Sequence, residues 1–221
     1  MVLHGNEKGM RRIKQLAAGL SFLALALCGP LASALASPAT DLIEGLNAKF
    51  IAVMKNAASL GYAGRYKALA PALADAYDFP EMTRITVGRH WRDLTDAQHQ
   101  QLIDAFQSYS VATYAARFDG YSGEKFEVLG EEPAPGANLR VNNQIVQSSG
   151  APIRIDYLLR EKEGNVRIID VFLKSSVSEL AVRRAEFTAE YAKTGFDGLV
   201  AMLKAKVANL EKGGAAAAAA N

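Results

Sequence analysis

The chain has 221 residues, 50% of them hydrophobic, and a formal net charge of +2. Residues 1–36 contain four of its 25 basic residues and one of its 23 acidic residues, so the remainder has a net charge of −1. That near-neutral remainder has no long basic stripe, which argues against nucleic acid as the main partner. Cys28 is the only cysteine, so the remaining domain must fold without disulfides, and its size of roughly 185 residues permits this.

The N-terminal segment has the order of a secretory signal peptide. Basic residues precede an apolar run over residues 16–27, and the small-residue sequence GPLASALAS follows. The run is shorter than the roughly 20 apolar residues that span a bilayer. We therefore predict that residues 1–36 direct export and are removed by cleavage after Ala34 or Ala36.

Two alternatives for this segment stay open. Cys28 is a candidate lipoprotein cysteine, although Leu27 before it is larger than the residue such signals prefer. Arg11 and Arg12 are a candidate twin-arginine signal, although the rest of that motif is missing. General secretion is therefore the favoured interpretation.

Helical periodicity begins directly after the predicted signal. Thr40 and Asp41 are placed to cap a first amphipathic helix that continues to about Ala57. A second helical stretch, GRYKALAPALADAY, contains Pro71. Because proline lacks the amide proton of the helical hydrogen bond, we expect Pro71 to kink or divide this helix.

Two more helices are predicted before the periodicity changes. A short one extends from Pro80 to Val87, with proline at an early position where its missing N–H costs little. Thr95 and Gln98 have the spacing of a capping box, which opens a long helix that ends near Phe118.

After Gly123 the pattern alternates, which is typical of strands. Turn-rich sequences separate four such segments, namely EKFEVLGE, NLRVNNQIVQ, PIRIDYLLRE and NVRIIDVFLK. Two helices then close the chain, SELAVRRAEFTAEYAKT and FDGLVAMLKAKVANLEK, with Gly195 placed to end the first. This order predicts an α+β fold, in which helices pack on a curved antiparallel sheet of about four strands. We expect one domain over residues 37–212 and a disordered alanine-rich tail over residues 213–221.

Residues suited to catalysis are few. The chain has no Gly-x-Ser-x-Gly motif, and after the signal only His90 and His99 are available as histidine bases. It also has no His-x-x-x-His motif, no cysteine pair and no spaced acidic loop, so we predict no metal site and no cofactor. The sequence therefore favours a protein that is not an enzyme, although an α+β cone with Asp156, Tyr157 and Asp170 in its pocket stays an alternative.

Apolar side chains are abundant on the predicted long helix and on the third and fourth strands. Such stripes usually form an ordinary filled core. Periodicity does not distinguish a filled core from one that encloses a cavity, so a scaffold with a filled core stays a second alternative.

Two blocks of sequence resemble the toluene-tolerance MlaC/Ttg2D family of periplasmic lipid-binding proteins. The first, DFPEMTRITVGRHWRDLTDAQHQQLIDAFQSYSVATYAARFDGYSGEKFEVLG, matches the family pattern at Asp78, Phe79, Met82, Gly88, Trp91, Phe106, Tyr114 and Tyr121. The second matches it at Asp170, Val171, Val177, Ser178, Arg184 and Phe187. Ser176 departs from the glycine of the family, and the sequence SELAVRRAEF resembles the hopanoid-biosynthesis-associated, HpnM-like branch.

The resemblance implies a carrier with a nuclear-transport-factor-like (NTF2-like) cone that encloses lipid tails in an apolar pocket. Such a carrier shuttles phospholipid, or hopanoid in that branch, across the periplasm. Its partners are an inner-membrane ABC transporter complex and an outer-membrane complex, and we expect a monomer. The alternative is an enzyme or accessory protein of periplasmic lipid modification that uses the same pocket.

On this basis we predict a set of lipid-contacting side chains. Eight come from the first block, where Trp91 suits a rim because its ring is apolar and its N–H is polar. The alternative is that Trp91 only holds the short helix against the sheet. Arg89 or Arg92 is a candidate contact for a lipid phosphate, against the alternative of a solvated surface arginine. The predicted pocket residues are Phe79, Met82, Ile85, Trp91, Leu102, Phe106, Tyr109, Tyr114, Val141, Ile155, Tyr157, Leu159, Ile169 and Val171.

Overall fold

The structure is a computed structural model that describes residues 37–219, with side chains described to residue 213. The predicted signal peptide lies outside these residues. The helices are α1 Pro38–Lys55, α2 Ala57–Ala76, α3 Phe79–Val87, α4 Asp96–Arg117 and α5 Glu179–Ala219, with a 3₁₀ helix over Gly88–Asp93. The strands are β1 Lys125–Ala134, β2 Asn138–Val146, β3 Ile153–Lys162, β4 Asn165–Leu173 and β5 Val177–Ser178.

The strands form one open antiparallel sheet in the order β1-β2-β3-β4-β5. On its central strands Val141 lies opposite Tyr157, and Tyr157 lies opposite Val171. The predicted α+β class and the meander of the first four strands are confirmed. Strand β5 was not predicted, because two residues are too few to show alternation. The NTF2-like conical enclosure stays a prediction.

The start of α1 differs from the prediction. The Ser37 hydroxyl accepts a hydrogen bond from the Thr40 amide at 3.2 Å, so Ser37 is the N-cap, rather than Thr40 or Asp41. Pro38 follows at the first helical position, where its missing N–H leaves no intrahelical bond unmade. The cap therefore lies three residues earlier than the apolar periodicity indicated.

The break in α2 also lies elsewhere than predicted. Non-helical backbone angles occur at Gly61, with φ 59° and ψ −176°, and not at Pro71. Glycine adopts this conformation without the steric cost that a Cβ would add. The break in this helix therefore lies at a glycine ten residues before the proline.

The other helix ends agree closely with the predictions. Thr95 and Gln98 form both hydrogen bonds of the capping box at the start of α4. Asp78 caps α3, whose first residue is Phe79, one residue before the predicted start. Gly195, with φ 71°, breaks α5 where the first of the two closing helices was expected to end.

The main core lies between one face of the sheet and the helices. A chain of ring contacts crosses it from β1 to α5, with successive centroids 4.8 to 6.3 Å apart. Arg65 is buried and ties α2 to the end of α4, since its Nε donates to the Ala115 carbonyl at 2.8 Å. The rings of the chain are, in order, Phe126, Phe118, Phe50, Tyr114, Tyr77, Phe79, Phe106 and Phe187.

The C-terminal end of α5 overlaps the alanine-rich tail. The helix is assigned to Ala219, whereas residues 220 and 221 lie outside the described part of the chain. Disorder of residues 213–221 in solution stays a prediction. Across the described residues, no helix combines the length and the apolarity that a membrane span requires.

Candidate functional site

A cavity of about 140 Å³ lies where the inner face of the sheet meets α3, α4 and α5. We call it the tyrosine cavity. Most of its wall is apolar or aromatic. Its lining residues are Tyr77, Met82, Phe106, Tyr109, Ser110, Thr113, Tyr114, Arg117, Phe118, Ile155, Val171, Leu173, Glu179, Leu180 and Arg183.

Helix α4 provides the largest share of this wall. Its contribution follows helical spacing from Phe106 to Arg117, because residues three and four apart lie on the same face. The sequence prediction included Phe106, Tyr109 and Tyr114 but omitted Ser110, Thr113 and Arg117. Continuing the same face of the helix would have found these three residues, even though their side chains are polar.

Two tyrosine hydroxyls in the wall of the cavity are hydrogen-bonded to each other. The hydroxyl oxygens of Tyr77 and Tyr114 are 2.6 Å apart, and either one donates the hydrogen bond. Burial raises the pKa of Tyr77 well above its ordinary value and also raises the pKa of Tyr114. Both side chains therefore stay protonated at neutral pH and remain hydrogen-bond donors.

One of these two O–H groups has no acceptor in the pair. A phenol carries a single proton, so the hydroxyl that accepts from its neighbour must direct its own proton elsewhere. Within the described part of the chain, no further hydrogen bond satisfies that proton. The tyrosine pair therefore presents one hydrogen-bond donor on a wall that is mostly apolar but also includes Ser110, Thr113 and charged side chains.

Charged side chains lie at the α5 side of the cavity. Arg183 pairs with Glu179 at 3.3 Å and with Glu186 at 3.1 Å. Its guanidinium lies over the Tyr109 ring, 5.1 Å from the centroid. Arg117 is exposed and approaches from α4.

The predicted pocket residues divide into three groups. Six of them line the tyrosine cavity: Met82, Phe106, Tyr109, Tyr114, Ile155 and Val171. Five others are almost fully buried in the main core without lining the cavity: Phe79, Leu102, Val141, Tyr157 and Leu159. The other three, Ile85, Trp91 and Ile169, lie elsewhere.

Ile169 is buried but does not belong to the main core cluster. The register between β3 and β4 shifts here, with Leu158 opposite Asp170 and Leu159 opposite Ile168. Ile169 is thus the extra residue of a β-bulge, which interrupts the alternation of faces. Ile168 joins the main core in its place.

Ile85 and Trp91 line a different depression, of about 440 Å³, beside α3 and the 3₁₀ helix. We call it the arginine groove. The Trp91 indole is half-buried and stacks on His99, with the ring centroids 3.8 Å apart. Arg89 and Arg92 lie in this groove and do not line the tyrosine cavity. The groove is lined by Arg84, Ile85, Gly88, Arg89, Trp91, Arg92 and Arg184.

The two aspartates considered for catalysis are held in separate hydrogen-bond networks. Asp156 is fully buried and accepts from Arg140 at 3.1 Å, from Arg154 at 3.0 Å and from the Asn143 amide at 3.1 Å. Burial alone would raise the pKa of Asp156, but these hydrogen bonds outweigh burial and lower it.

Asp170 accepts hydrogen bonds from a serine hydroxyl and a backbone amide, whereas Asp156 is bonded to arginines. Its carboxylate accepts from the Ser178 hydroxyl at 2.6 Å and from the Leu180 amide at 3.0 Å, which joins β4 to the start of α5. Burial raises the pKa of Asp170. Tyr157 belongs to the main core. Asp156, Tyr157 and Asp170 therefore form no common site.

His90 and His99 are both engaged in ring stacking. His90 stacks on Tyr191, with centroids 4.3 Å apart, and His99 stacks on Trp91. Among the residues with described side chains, no group of three His, Cys, Asp or Glu residues is arranged to hold a metal ion.

Comparison with known proteins agrees with this architecture. The sequence pattern described as MlaC protein matches residues 44–205, which is most of the chain. The chain belongs to the MlaC family. This confirms the resemblance at the level of the family.

A solved structure similar to this MlaC family member is that of a phospholipid-binding protein from Ralstonia solanacearum, determined in complex with a phospholipid. The two chains share 20% sequence identity and superpose with a TM-score of 0.69. The match covers 79% of this chain and 99% of that chain. At this identity the likeness establishes a shared fold.

Proposed function

We propose that this protein is a periplasmic lipid carrier that binds lipid tails in the tyrosine cavity and does not catalyse a reaction. The observation that carries the proposal is an apolar, aromatic-lined cavity at the junction of sheet and helices in a chain of the MlaC family. The phospholipid bound by the Ralstonia solanacearum protein of the same fold supports lipid as the ligand class.

Apolar transfer energies explain why such a carrier is needed. A chain of about 16 carbons loses on the order of 12 kcal/mol of apolar burial when it enters water, at about 0.8 kcal/mol per CH₂. Unassisted transfer across an aqueous compartment is therefore slow. A protein that accelerates it must offer an equally dry surface but needs no catalytic group.

The size of the cavity requires its walls to move. A volume of about 140 Å³ is smaller than the pockets of about 300–1,000 Å³ that enclose typical ligands. Lipid tails therefore enter only if the elements around the cavity separate. Helices α3 and α5 are the candidates for this movement, since both line the cavity, α3 through Met82 and α5 through Leu180 and Arg183.

The carrier proposal includes the export and partner predictions. Membership of the MlaC family supports a periplasmic location, with residues 1–36 removed as a signal peptide and the protein acting as a monomer. It also supports exchange of cargo with an inner-membrane ABC transporter complex and an outer-membrane complex. Phospholipid is the cargo favoured by the family, and hopanoid is the cargo implied by the HpnM-like sequence around residues 178–187.

Modification of a periplasmic lipid is the second candidate function. It would require an acid or base directed at the cavity. Asp156 and Asp170 do not line the cavity and instead accept hydrogen bonds from arginines, a serine and backbone amides. Glu179 does line the cavity, but its carboxylate is paired with Arg183 at 3.3 Å. The geometry favours the carrier over the enzyme.

The decisive experiment is native mass spectrometry of the protein purified from a periplasmic extract, followed by extraction and identification of bound lipid. We expect a stoichiometric lipid adduct, whose identity decides between phospholipid and hopanoid. A protein without an adduct that also takes up no lipid from vesicles would contradict the proposal. Conversion of added lipid to a new product would favour the enzyme.

A further inference from the structure

The arginine groove concentrates positive charge in a chain whose net charge after residue 36 is −1. Four arginines line it and no carboxylate does. Arg84 is paired with Glu81 through two hydrogen bonds of 2.8 Å. Within the described residues, the guanidiniums of Arg89, Arg92 and Arg184 make neither an ion pair within 4 Å nor a hydrogen bond.

Local backbone geometry holds one of these arginines in position. Gly88 ends α3 with φ 58° and ψ −126°, a conformation that is accessible almost only to glycine. A Cβ at Gly88 would lie 3.5 Å from a terminal nitrogen of Arg184. The guanidinium of Arg184 on α5 therefore lies directly against the C-terminal end of α3. The negative end of the helix dipole favours a cation at this place.

The composition of the groove matches the surface of an anionic bilayer. Guanidinium groups bind phosphate oxygens through paired hydrogen bonds. Trp91 adds an amphipathic ring of the kind that prefers a membrane interface, and Ile85 adds an apolar side chain. An acidic protein surface would satisfy the arginines, but it gives no comparable reason for a half-buried indole beside them.

The groove is also adjacent to the cavity through shared elements. On α3, Met82 lines the tyrosine cavity and Ile85 lines the groove. On α5, Arg183 lines the cavity and Arg184 lines the groove. A surface bound at the groove therefore lies against the two helices that are the candidates for the opening movement.

We propose that the arginine groove docks the protein on anionic phospholipid bilayers by binding their phosphate groups. This goes beyond the carrier function, because it assigns a membrane contact to a surface separate from the lipid cavity. It is tested by vesicle binding, whereas the carrier proposal is tested by the lipid content of the cavity. Each proposal can therefore be overturned while the other still holds.

The test is flotation of the protein with phosphatidylcholine vesicles that contain or lack phosphatidylglycerol, at low and at high salt. We expect binding that requires phosphatidylglycerol and weakens at high salt. The variant Arg89→Gln/Arg92→Gln should bind about thirtyfold more weakly, because each arginine near an anionic surface contributes about a factor of five. Both side chains are exposed, so the melting temperature should not change.

The matched control is Lys49→Gln/Lys67→Gln, which removes the same charge from exposed positions on α1 and α2. It should bind like the wild type. Equal binding to both kinds of vesicle, or an equal loss in the two variants, overturns the proposal. An equal loss in the two variants would mean that the net charge of the protein, rather than the arginine groove, governs binding.

Discussion

The hydroxyl pair of Tyr77 and Tyr114 places a hydrogen-bond donor at the wall of the tyrosine cavity. A buried donor without an acceptor costs about 1–3 kcal/mol, and the pair leaves one such donor at the cavity wall. A lipid carbonyl in the cavity would accept this bond, whereas a hydrocarbon chain would not. The pair should therefore favour lipids that bring an acceptor into the cavity.

This selectivity is measurable with diacyl and dialkyl-ether phospholipids of the same headgroup and chain length. The wild-type protein should load the diacyl lipid about fivefold more, because one net hydrogen bond contributes about 1 kcal/mol. The double variant Tyr77→Phe/Tyr114→Phe should lose the preference, while each single variant retains one O–H group. Tyr66→Phe, which removes a hydroxyl outside the cavity, serves as the control. An unchanged preference in the double variant would refute this role.

Asp156 has a structural role that depends on pH. Its folded-state pKa is lowered, so its ionised form contributes stability above the ordinary aspartate pKa, and this contribution is lost as the pH falls through the folded-state value. Asp156→Asn should lower the free energy of unfolding by about 3 kcal/mol at neutral pH, since it leaves two arginines without their buried partner.

Urea unfolding of Asp156→Asn at neutral and at acidic pH checks this prediction. The difference from the wild type should shrink below pH of about 4, where the unfolded-state carboxyl becomes protonated. Glu132→Gln removes an exposed carboxylate and should leave stability unchanged at both pH values. A loss for Asp156→Asn that is the same at every pH would mean that the charge is not responsible.

At the scale of the elements, glycines determine where two long helical segments break. Gly61 divides α2, and Gly195 divides α5 with φ 71° and ψ −167°. The second break was predicted from sequence because Gly195 ends an apolar periodicity. The first was assigned to Pro71, since a proline inside a helix is the stronger local signal. The helix instead continues through Pro71 without non-helical backbone angles.

Gly195→Ala tests the role of this break. The variant should lose about 1–3 kcal/mol of stability, because a side chain does not readily adopt that backbone conformation. Gly45→Ala is the matched control: it lies in an exposed turn of α1, where an added Cβ meets nothing within 4 Å. It should gain about 0.5–1 kcal/mol. Thermal unfolding should show a loss of stability for Gly195→Ala and a gain for Gly45→Ala. Unchanged stability of Gly195→Ala would contradict the role of Gly195 in breaking the helix.

At the scale of the whole molecule, lipid loading and stability are linked. A ligand present at about 100 times its dissociation constant stabilises the folded state by about 2.7 kcal/mol if it binds only that state. For a domain of about this size, that corresponds to a rise in melting temperature of roughly 5–10 °C. The lipid-loaded protein should therefore melt well above the same protein after delipidation.

Two serine variants on α4 test whether the lipid that raises the melting temperature is bound in the tyrosine cavity. Ser110→Phe places a ring in the cavity and should abolish the rise in melting temperature, since the space is already small. Ser108→Phe adds the same ring to the same helix outside the cavity and should retain it. Equal rises in both variants would show that lipid binds elsewhere.

The sequence by itself determined the types of the elements, most of their ends and the family. Alternation and helical periodicity are local properties that can be read from the sequence. The spaced residues of the two family blocks can also be read directly, because they occur along the chain in the order of the family pattern. Six of the predicted pocket residues, among them Phe106 and Val171, line the cavity. Their apolar character was enough to select them as interior residues.

Only the tertiary structure decided which interior residues face a cavity and which fill the core. Leu102 and Phe106 have the same helical periodicity, yet only Phe106 lines the cavity. The β-bulge at Ile169 interrupts the alternation of faces along its strand, and Trp91 lies in a separate, arginine-lined groove. Periodicity specifies a face within one element, whereas a cavity depends on how several elements meet.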